Sequence, residues 1–193
     1  MDLDSSLVET TIGILDRMVV NGSDLNSGLH IRYGATDAQI QMVLEMKGHV
    51  DEKRMAQAVQ LSTIAEPILG CRFVESPLHP IWQRRVDLDS IEWCSIEQVD
   101  NKEESIDLWL SSLLDLDFDP LVTVRIFRSP TNDLLGIKIH HACSDGIGLI
   151  QYVFLLASIY SELSRDPAYQ PRPNLRDRDQ SQMFRVIEDM STY

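Results

Sequence analysis

The spacing of apolar side chains predicts a helix and then a strand at the start of the chain. In residues 6–20 the spacing is typical of one helix face. These apolar positions are Leu7, Val8, Ile12, Leu15, Met18 and Val19. The turn-forming residues 21–24 are expected to end this helix. In residues 40–47 apolar and polar side chains alternate instead, which predicts a strand with one buried face that ends at Gly48. Its inward positions are Ile40, Met42, Leu44 and Met46.

A second helix is predicted after Gly48. Asp51 and Glu52 would lie in its first turn, where acidic side chains complement the helix dipole. Its apolar side is expected at Met55, Ala58, Val59 and Leu61. Pro67 is expected to end it, because proline cannot continue a helix. Residues 68–74 then have the composition of a short strand.

Residues 87–119 are rich in acids and contain a third predicted helix at residues 105–114. Its apolar side is expected at Ile106, Trp109, Leu110 and Leu113. Residues 115–120 are predicted to be a loop. Asp115, Asp117 and Asp119 alternate there as calcium ligands do, but the glycine and the final glutamate of an EF-hand loop are missing. We therefore predict no metal site.

A hairpin is predicted from two strands at residues 121–127 and 134–139, joined by a five-residue turn at 129–133. The second strand leads directly to His140 and His141, which are followed by three small or polar residues and then by Asp145 and Gly146. Apolar side chains at helical spacing after Gly146 give the clearest helix prediction in the chain. They are Leu149, Ile150, Val153, Leu156, Ala157, Tyr160 and Leu163.

The pattern changes after this helix. Residues 165–180 combine three prolines with many charged side chains, which predicts a linker or a surface crossover. Residues 183–190 are compatible with the start of another helix. We accordingly divide the chain into a first unit at 1–164 and a segment at 165–193 that holds the crossover and the start of a second half.

Composition and charge narrow the class of protein. An apolar content of 44% is enough for a packed core. The net charge of -13 disfavours nucleic acid and anionic membrane surfaces as partners. No uninterrupted apolar run approaches the roughly 20 residues that a membrane span needs.

The cysteines and the N-terminus indicate a reducing compartment. Cys71, Cys94 and Cys143 are odd in number and not closely spaced, so they predict neither a disulfide framework nor a metal knuckle. The acidic first residues lack the basic start and apolar run of a secretory signal. We expect a cytoplasmic location.

The segment from His140 to Gly146, His-His-Ala-Cys-Ser-Asp-Gly, carries a family resemblance. It resembles the His-His-x-x-x-Asp-Gly signature of the condensation domains of nonribosomal peptide synthetases and of the related chloramphenicol-acetyltransferase-like acyltransferases. All four fixed positions match, as does the hairpin strand before the motif and the apolar helix after it. Residues 66–73 and the loop at 117–120 are similar to further family segments, and the resemblance extends from about Leu7 to Asp189.

The resemblance implies a fold and a reaction. The fold is α/β (α+β), a chloramphenicol-acetyltransferase-like half-domain in which helices pack on a mixed sheet. The reaction is transfer of an acyl group from a coenzyme A or carrier-protein (phosphopantetheine-linked) thioester to a hydroxyl or amine. His141 would be the general base, a role that suits an imidazole whose ordinary pKa is about 6.5. The thioester is a substrate, and the resemblance implies no permanently bound cofactor and no metal.

The resemblance also implies roles for the neighbours of His141. His140 would support the local backbone or pack behind the site. Asp145 would hold the loop by pairing with an arginine, and Gly146 would fit a crowded or unusual backbone position before the helix. The family often has that arginine where this chain has Gly70, so we expect nearby Arg72 to be the partner of Asp145.

Other chemically notable residues near the motif are expected to be structural. Cys143 is predicted to be a small packing residue and not a nucleophile, because no separate base is suggested for it. Tyr152, Phe154 and Tyr160 are predicted to lie in the core and not to form a ligand cage.

The resembled family leaves an alternative open. Its members have two similar halves with the active site in a tunnel between them, and the histidine motif belongs to the first half. The chain would then be a fragment, a subunit completed by another chain or a copy of itself, or a module that has lost catalysis. Since an open half-core exposes apolar surface, we expect a dimer or complex. The alternative function is an inactive half-domain for protein interaction or dimerisation, with His140 and His141 merely structural.

Overall fold

The computed structural model describes residues 17–19 (backbone only), 39–74, 81–116 and 118–175. Its strands are β1 (Arg17–Val19), β2 (Gln39–Glu45), β3 (Cys71–Val74), β4 (Ile81–Arg84), β5 (Cys94–Gln98), β6 (Val122–Arg128) and β7 (Asp133–His140). Its α-helices are α1 (Glu52–Ala65), α2 (Lys102–Ser111) and α3 (Gly146–Arg165). Short 3-10 turns lie at Pro67–Gly70 and Leu88–Ser90.

The main sheet is mixed and has the strand order β2-β7-β6-β5. β7 pairs antiparallel with both β2 and β6, whereas β5 pairs parallel with β6. The strand predicted at 40–47 is confirmed but ends two residues earlier, at Glu45, and the predicted hairpin is confirmed. The hairpin turn is one residue shorter than predicted, because Asp133 already pairs with Arg128 in the ladder.

A smaller sheet has the order β1-β4-β3 and corrects two predictions. Arg17–Val19 is a strand and not the end of a helix, because its backbone pairs antiparallel with residues 81–83. The rest of that predicted helix and the turn at 21–24 lie outside the described residues. The predicted strand at 68–74 begins only at Cys71, since Pro67–Gly70 forms a 3-10 turn first.

Helix α1 forms where the sequence predicts it. The first N–H groups of a helix have no partner within the helix. The Asp51 side chain caps α1 by accepting one of them, the backbone N–H of Arg54. The four predicted apolar positions are all buried: Met55, Ala58, Val59 and Leu61. α1 packs beside α3 over the core.

Helix α2 spans Lys102–Ser111, so it begins and ends three residues earlier than predicted. Asn101 caps its start, and Leu113 lies exposed beyond its end. Trp109 attaches α2 to the sheet by an edge-to-face contact with Phe127 at 5.7 Å between ring centroids. That contact needs Gly136 in β7, because a Cβ there would lie 2.6 Å from the Trp109 ring.

Helix α3 confirms the predicted element but corrects its inward face. The buried positions are Leu149, Tyr152, Leu156, Ile159 and Leu163. Ile150 and Ala157 are exposed, and Phe154, predicted to lie in the core, is 72% exposed. Ile147, Ile150 and Phe154 thus form an exposed apolar stripe on one face, named the α3 stripe below. Within the described chain α3 is long and apolar enough for a membrane span by length and composition, but its opposite face packs into the core.

The segment after α3 runs back along α1. Asn174 donates its backbone N–H to the carbonyl of Ala65 at 2.7 Å and its side-chain amide to Glu66. Gln57 donates to the carbonyl of Pro167. These hydrogen bonds hold the segment after α3 against α1. The predicted helix at 183–190 lies outside the described residues.

Candidate functional site

The two histidines lie where β7 gives way to the turn before α3. His140 is the last residue of β7, opposite Gln39 of β2, and its backbone N–H donates to the carbonyl of Leu121 at 2.8 Å. His141 begins the turn, and α3 starts at Gly146. The predicted strand–motif–helix arrangement is confirmed.

The His140 ring is buried, with 1% of its surface exposed. Its Nδ1 accepts the backbone N–H of Ala142 at 3.2 Å. Burial, with a smaller contribution from the neighbouring charge of His141, lowers the pKa of His140 to about 4. The ring is therefore neutral at pH 7, and its acceptor holds the backbone of the turn.

His141 contrasts with its neighbour in being exposed. Within the described part of the chain its ring takes part in no hydrogen bond or ion pair. The imidazole is thus presented to the solvent side of the turn, where a neutral ring nitrogen can accept a proton from a bound molecule.

Cys143 holds the turn by hydrogen bonds back to His140. Its backbone N–H and its Sγ both lie 3.1 Å from the carbonyl oxygen of His140, to which they donate. Its predicted burial is confirmed. The backbone of His140 is therefore held at its N–H by Leu121 and at its carbonyl by Cys143.

Asp145 is exposed and caps α3. Its carboxylate accepts the N–H of Gly148 at 2.7 Å, and its carbonyl accepts the N–H of Leu149. The predicted partner, Arg72, is wrong. Arg72 lies on β3 directly across from Gln83 and donates to the Gln83 side chain at 2.7 and 3.1 Å. The pairing of β3 with β4 therefore places the Arg72 guanidinium against Gln83 and not against Asp145.

The expected reason for a glycine at 146 is also wrong. Gly146 does not have a positive φ, and a Cβ there would meet nothing within 4 Å. The crowded position is Gly148, where a Cβ would collide with Ser144 Oγ. In the sequence, the need for a glycine at 148 is indicated only by its place as the second glycine of Gly146-Ile147-Gly148.

Gln39 is a further residue at the site that the sequence pattern does not reveal. Its side chain crosses from β2 to the segment after α2, where Nε2 donates to the carbonyl of Ser112 at 2.8 Å and Oε1 accepts the N–H of Leu114 at 3.2 Å. Because Gln39 pairs with His140, these bonds bring Ser112 and Leu114, which follow α2, to the end of the sheet where His140 lies. The position of Gln39 beside His140 can be recognised only from the strand register.

The described residues bring together no group of three or more His, Cys, Asp and Glu side chains that could hold a metal ion. Asp117, one of the three alternating acids, lies outside them. The chemistry available in the described site is that of an exposed imidazole beside a helix start.

Comparison with known proteins gives a consistent picture. The family model described as "Condensation domain" matches residues 34–175. Nonribosomal peptide synthetase dtpA of Aspergillus flavus is 28% identical over 132 residues, which cover 67% of this chain and 5% of that protein.

Solved structures share the fold at low identity. The first condensation domain of the CDA synthetase has a TM-score of 0.66 at 18% identity, with 90% of this chain and 46% of that chain covered. The epimerization domain from the third module of tyrocidine synthetase B has a TM-score of 0.62 at 21% identity, with 81% and 37% covered. This chain therefore spans less than half the length of either structure, and a small part of the synthetase.

Proposed function

The chain belongs to the condensation-domain family, and from that membership we propose that it supplies the base-bearing half of an acyl-transfer site. His141 takes the proton from an acceptor hydroxyl or amine while that acceptor attacks the carbonyl of an acyl thioester. The observation that carries the proposal is the contrast between the two rings: His141 is exposed at the turn, whereas His140 is buried beneath it.

The neutral state of His140 favours a base beside it. A second imidazolium next to His141 would oppose the positive charge that His141 gains when it takes the proton. Because burial keeps His140 uncharged at pH 7, that repulsion is absent. In this proposal the His140 ring holds the turn and the His141 ring takes the proton.

The start of α3 adds a favourable field. A 20-residue helix carries partial positive charge at its N-terminus, and its first-turn N–H groups lie immediately after the motif. Negative charge develops on the thioester carbonyl oxygen as the acceptor attacks. Asp145 already bonds Gly148, so we assign this carboxylate to fixing the turn and not to the proton transfer.

We infer the donor from the relatives. The curated relative is a nonribosomal peptide synthetase, which makes a carrier-protein thioester the first donor to test and acyl-coenzyme A the second. In either case the thioester enters as substrate, and the reaction needs no permanently bound cofactor. The acceptor class is a hydroxyl or an amine.

We also propose that a second half-domain covers the α3 stripe. The chain covers 46% of the matched condensation-domain structure, so the matched fold contains a further half. Ile147 begins this stripe one residue after the motif ends, and Phe154 continues it two helical turns later. A partner that buries the stripe would therefore lie beside His141 and enclose the reacting groups. The expected assembly is a dimer or a complex with another chain.

The α3 stripe also supports a second candidate, an interaction module without catalysis. The same fold occurs in a protein named an epimerization domain and in the X-domain from teicoplanin biosynthesis, so the fold alone does not select a reaction. In that case the stripe would bind a partner while His141 served no chemical purpose.

A single-turnover assay separates the two candidates. The chain, together with a second half-domain of the same family, is mixed with a carrier protein loaded with a labelled acyl thioester and with an amine acceptor. Labelled amide formed faster than in the carrier alone supports the enzyme. Stable binding of the loaded carrier or of the second half with no gain in amide formation supports the interaction module.

A further inference from the structure

The guanidinium of Arg85 is held in a fixed orientation at the exit of β4. The backbone N–H of this residue donates to the carbonyl of Gly70 at 3.0 Å. Its Nε and Nη2 donate to the two carboxylate oxygens of Asp87 at 3.0 and 2.8 Å, and this two-point pairing fixes the plane of the guanidinium. The Arg85 side chain is only 11% exposed. Its third nitrogen, Nη1, therefore points in a fixed direction.

Arg85 Nη1 donates to two consecutive backbone carbonyls just before β6. These are the carbonyls of Phe118 and Asp119, at 3.0 and 3.1 Å. Pro120 follows, and its ring restricts its own backbone and that of Asp119. The backbone between the held carbonyls and Leu121 therefore has little freedom, so Arg85 fixes the point from which β6 starts.

Leu121 in turn holds the strand that carries the histidines. Its carbonyl accepts the backbone N–H of His140 at 2.8 Å. This bond lies one step beyond the last register pair of β6 and β7, Val122 with Ile139. It is therefore made where β7 ends, and His141 begins the turn at the next residue. A displacement of the Leu121 carbonyl would be passed on to that turn.

We propose that Arg85 is a positioning residue for the base. By holding the two carbonyls before Pro120, it sets the place of the Leu121 carbonyl and so of the turn that bears His141. The path from Arg85 to His141 runs through backbone groups, and Arg85 takes no part in the proton transfer itself. The inference rests on the proposed function for the role of His141 as base.

The path joins the two sheets of the described chain. Arg85 follows β4 of the small sheet, whereas His140 ends β7 of the main sheet. A displacement of reacting groups by about 1 Å can slow a reaction about 100-fold, even when its cause lies far from the chemistry. We therefore expect the rate of acyl transfer, and not the binding of the thioester, to depend on Arg85.

Amide hydrogen exchange tests the backbone path without any acyl transfer. In Arg85→Gln the His140 amide should exchange about tenfold faster relative to the Ile137 amide in the middle of β7, since the last bond of the ladder is weakened. Arg72→Gln is the matched control, because it removes an arginine of the same small sheet that bonds Gln83 instead. It should leave the ratio unchanged. An unchanged ratio in Arg85→Gln would overturn the proposal, as would equal acceleration of both amides, which indicates a general loss of stability.

Asp87→Asn provides a milder variant that decides the question if Arg85→Gln does not fold. It keeps the guanidinium but neutralises the exposed carboxylate that fixes its plane. The exchange ratio of His140 to Ile137 should rise in the same direction, by about two- to threefold. A ratio equal to that of the wild type would contradict the proposal.

Single-turnover transfer from the loaded carrier, with a second half-domain present, separates positioning from binding. At saturating carrier, Arg85→Gln should react about 10- to 100-fold more slowly than the wild type, with the same half-saturating concentration. Arg85→Lys keeps one donor for the carbonyls without the two-point pairing, so it should recover part of the rate.

The outcomes of the transfer assay are distinguishable. A full rate in Arg85→Gln would overturn the positioning role and leave His141 as the base, as would a change confined to the half-saturating concentration. A wild type that transfers no acyl group would instead refute the proposed function. The exchange ratio alone would then decide whether Arg85 holds the turn.

Discussion

The guanidinium of Arg84 lies in the space that a side chain at position 70 would occupy. A Cβ built on Gly70 would lie 2.6 Å from Arg84 Nη1. Arg84 is placed there by the ladder between β3 and β4, in which it pairs with Cys71. Its Nη1 donates to the carbonyls of Thr63 and Pro67 at the end of α1. Glycine at position 70 therefore leaves the space in which Arg84 bonds the chain at the exit of that helix.

Gly70→Ala is expected to destabilise the fold by about 1–3 kcal/mol, because the methyl group displaces the charged donor of the two carbonyls. Chemical denaturation measures the loss. In a double-mutant cycle, Gly70→Ala should cost much less when Arg84 is already alanine, since the displaced group is then gone. Purely additive effects would show that the two positions do not interact.

Asp133 predicts the behaviour of the protein in acid. Its side chain is fully buried, and Arg128, His49 and the Val50 N–H all donate to it. Burial alone would raise the pKa of Asp133, but these hydrogen bonds and the Arg128 charge lower it from 3.8 to about 2. Because the folded pKa lies below the unfolded one, the stabilisation is full above about pH 4 and is lost as the pH falls towards 2.

Urea unfolding at a series of pH values tests this. The wild type should lose about 2 kcal/mol through Asp133 across that window, a loss that Asp133→Asn should not show. Asp133→Asn should also be less stable by about 3 kcal/mol at pH 7, because Arg128 loses its buried partner. Asp107→Asn, at an exposed site, serves as the control. An unchanged acid slope in Asp133→Asn would refute the assignment.

Lys138 is expected to hold the end of α2. Its buried ammonium donates to the carbonyls of Trp109 and Ser112 and lies 4.5 Å from the centre of the Trp109 ring. Lys138→Met leaves those carbonyls without this donor and should cost about 2 kcal/mol or more. Lys53→Met on the exposed side of α1 should have little effect. Hydrogen exchange of the α2 amides reports the same loss locally; unchanged exchange would contradict it.

The α3 stripe predicts association. Replacing Ile150 and Phe154 by serine should weaken binding to a second half-domain at least about tenfold, because two large apolar side chains lose their burial. Leu108→Ser, an exposed leucine on α2, is the matched control. Sedimentation velocity measures the binding. Equal affinity in the stripe variant and the wild type would move the interface elsewhere.

The sequence predicts those parts of the fold that depend on local pattern. The β6–β7 hairpin, α1 and α3 follow from periodicity, from the acidic start of α1 and from the glycine after Asp145. The motif itself locates the histidines at the strand end, because the strand before it and the helix after it are both strongly apolar.

Predictions failed where the answer depends on pairing between distant segments. Apolar spacing favoured a helix through Arg17–Val19, but backbone pairing with β4 makes it a strand. Arg72 is nearest in sequence to the family's arginine position, but the strand register places its side chain against Gln83. The arginine beside Gly70 is Arg84, which comes from the neighbouring strand β4. Phe154 is apolar on a helix whose open face can be recognised only once the sheet is in place.

The proposed role of His141 as general base can be tested by one comparison. The single-turnover rate of acyl transfer by the chain together with a second half-domain is measured for the wild type and for His141→Ala. The expected fall is about 100- to 10,000-fold, with unchanged thermal unfolding, because an exposed side chain is removed without disturbing the core. An unchanged rate in His141→Ala would contradict the assignment.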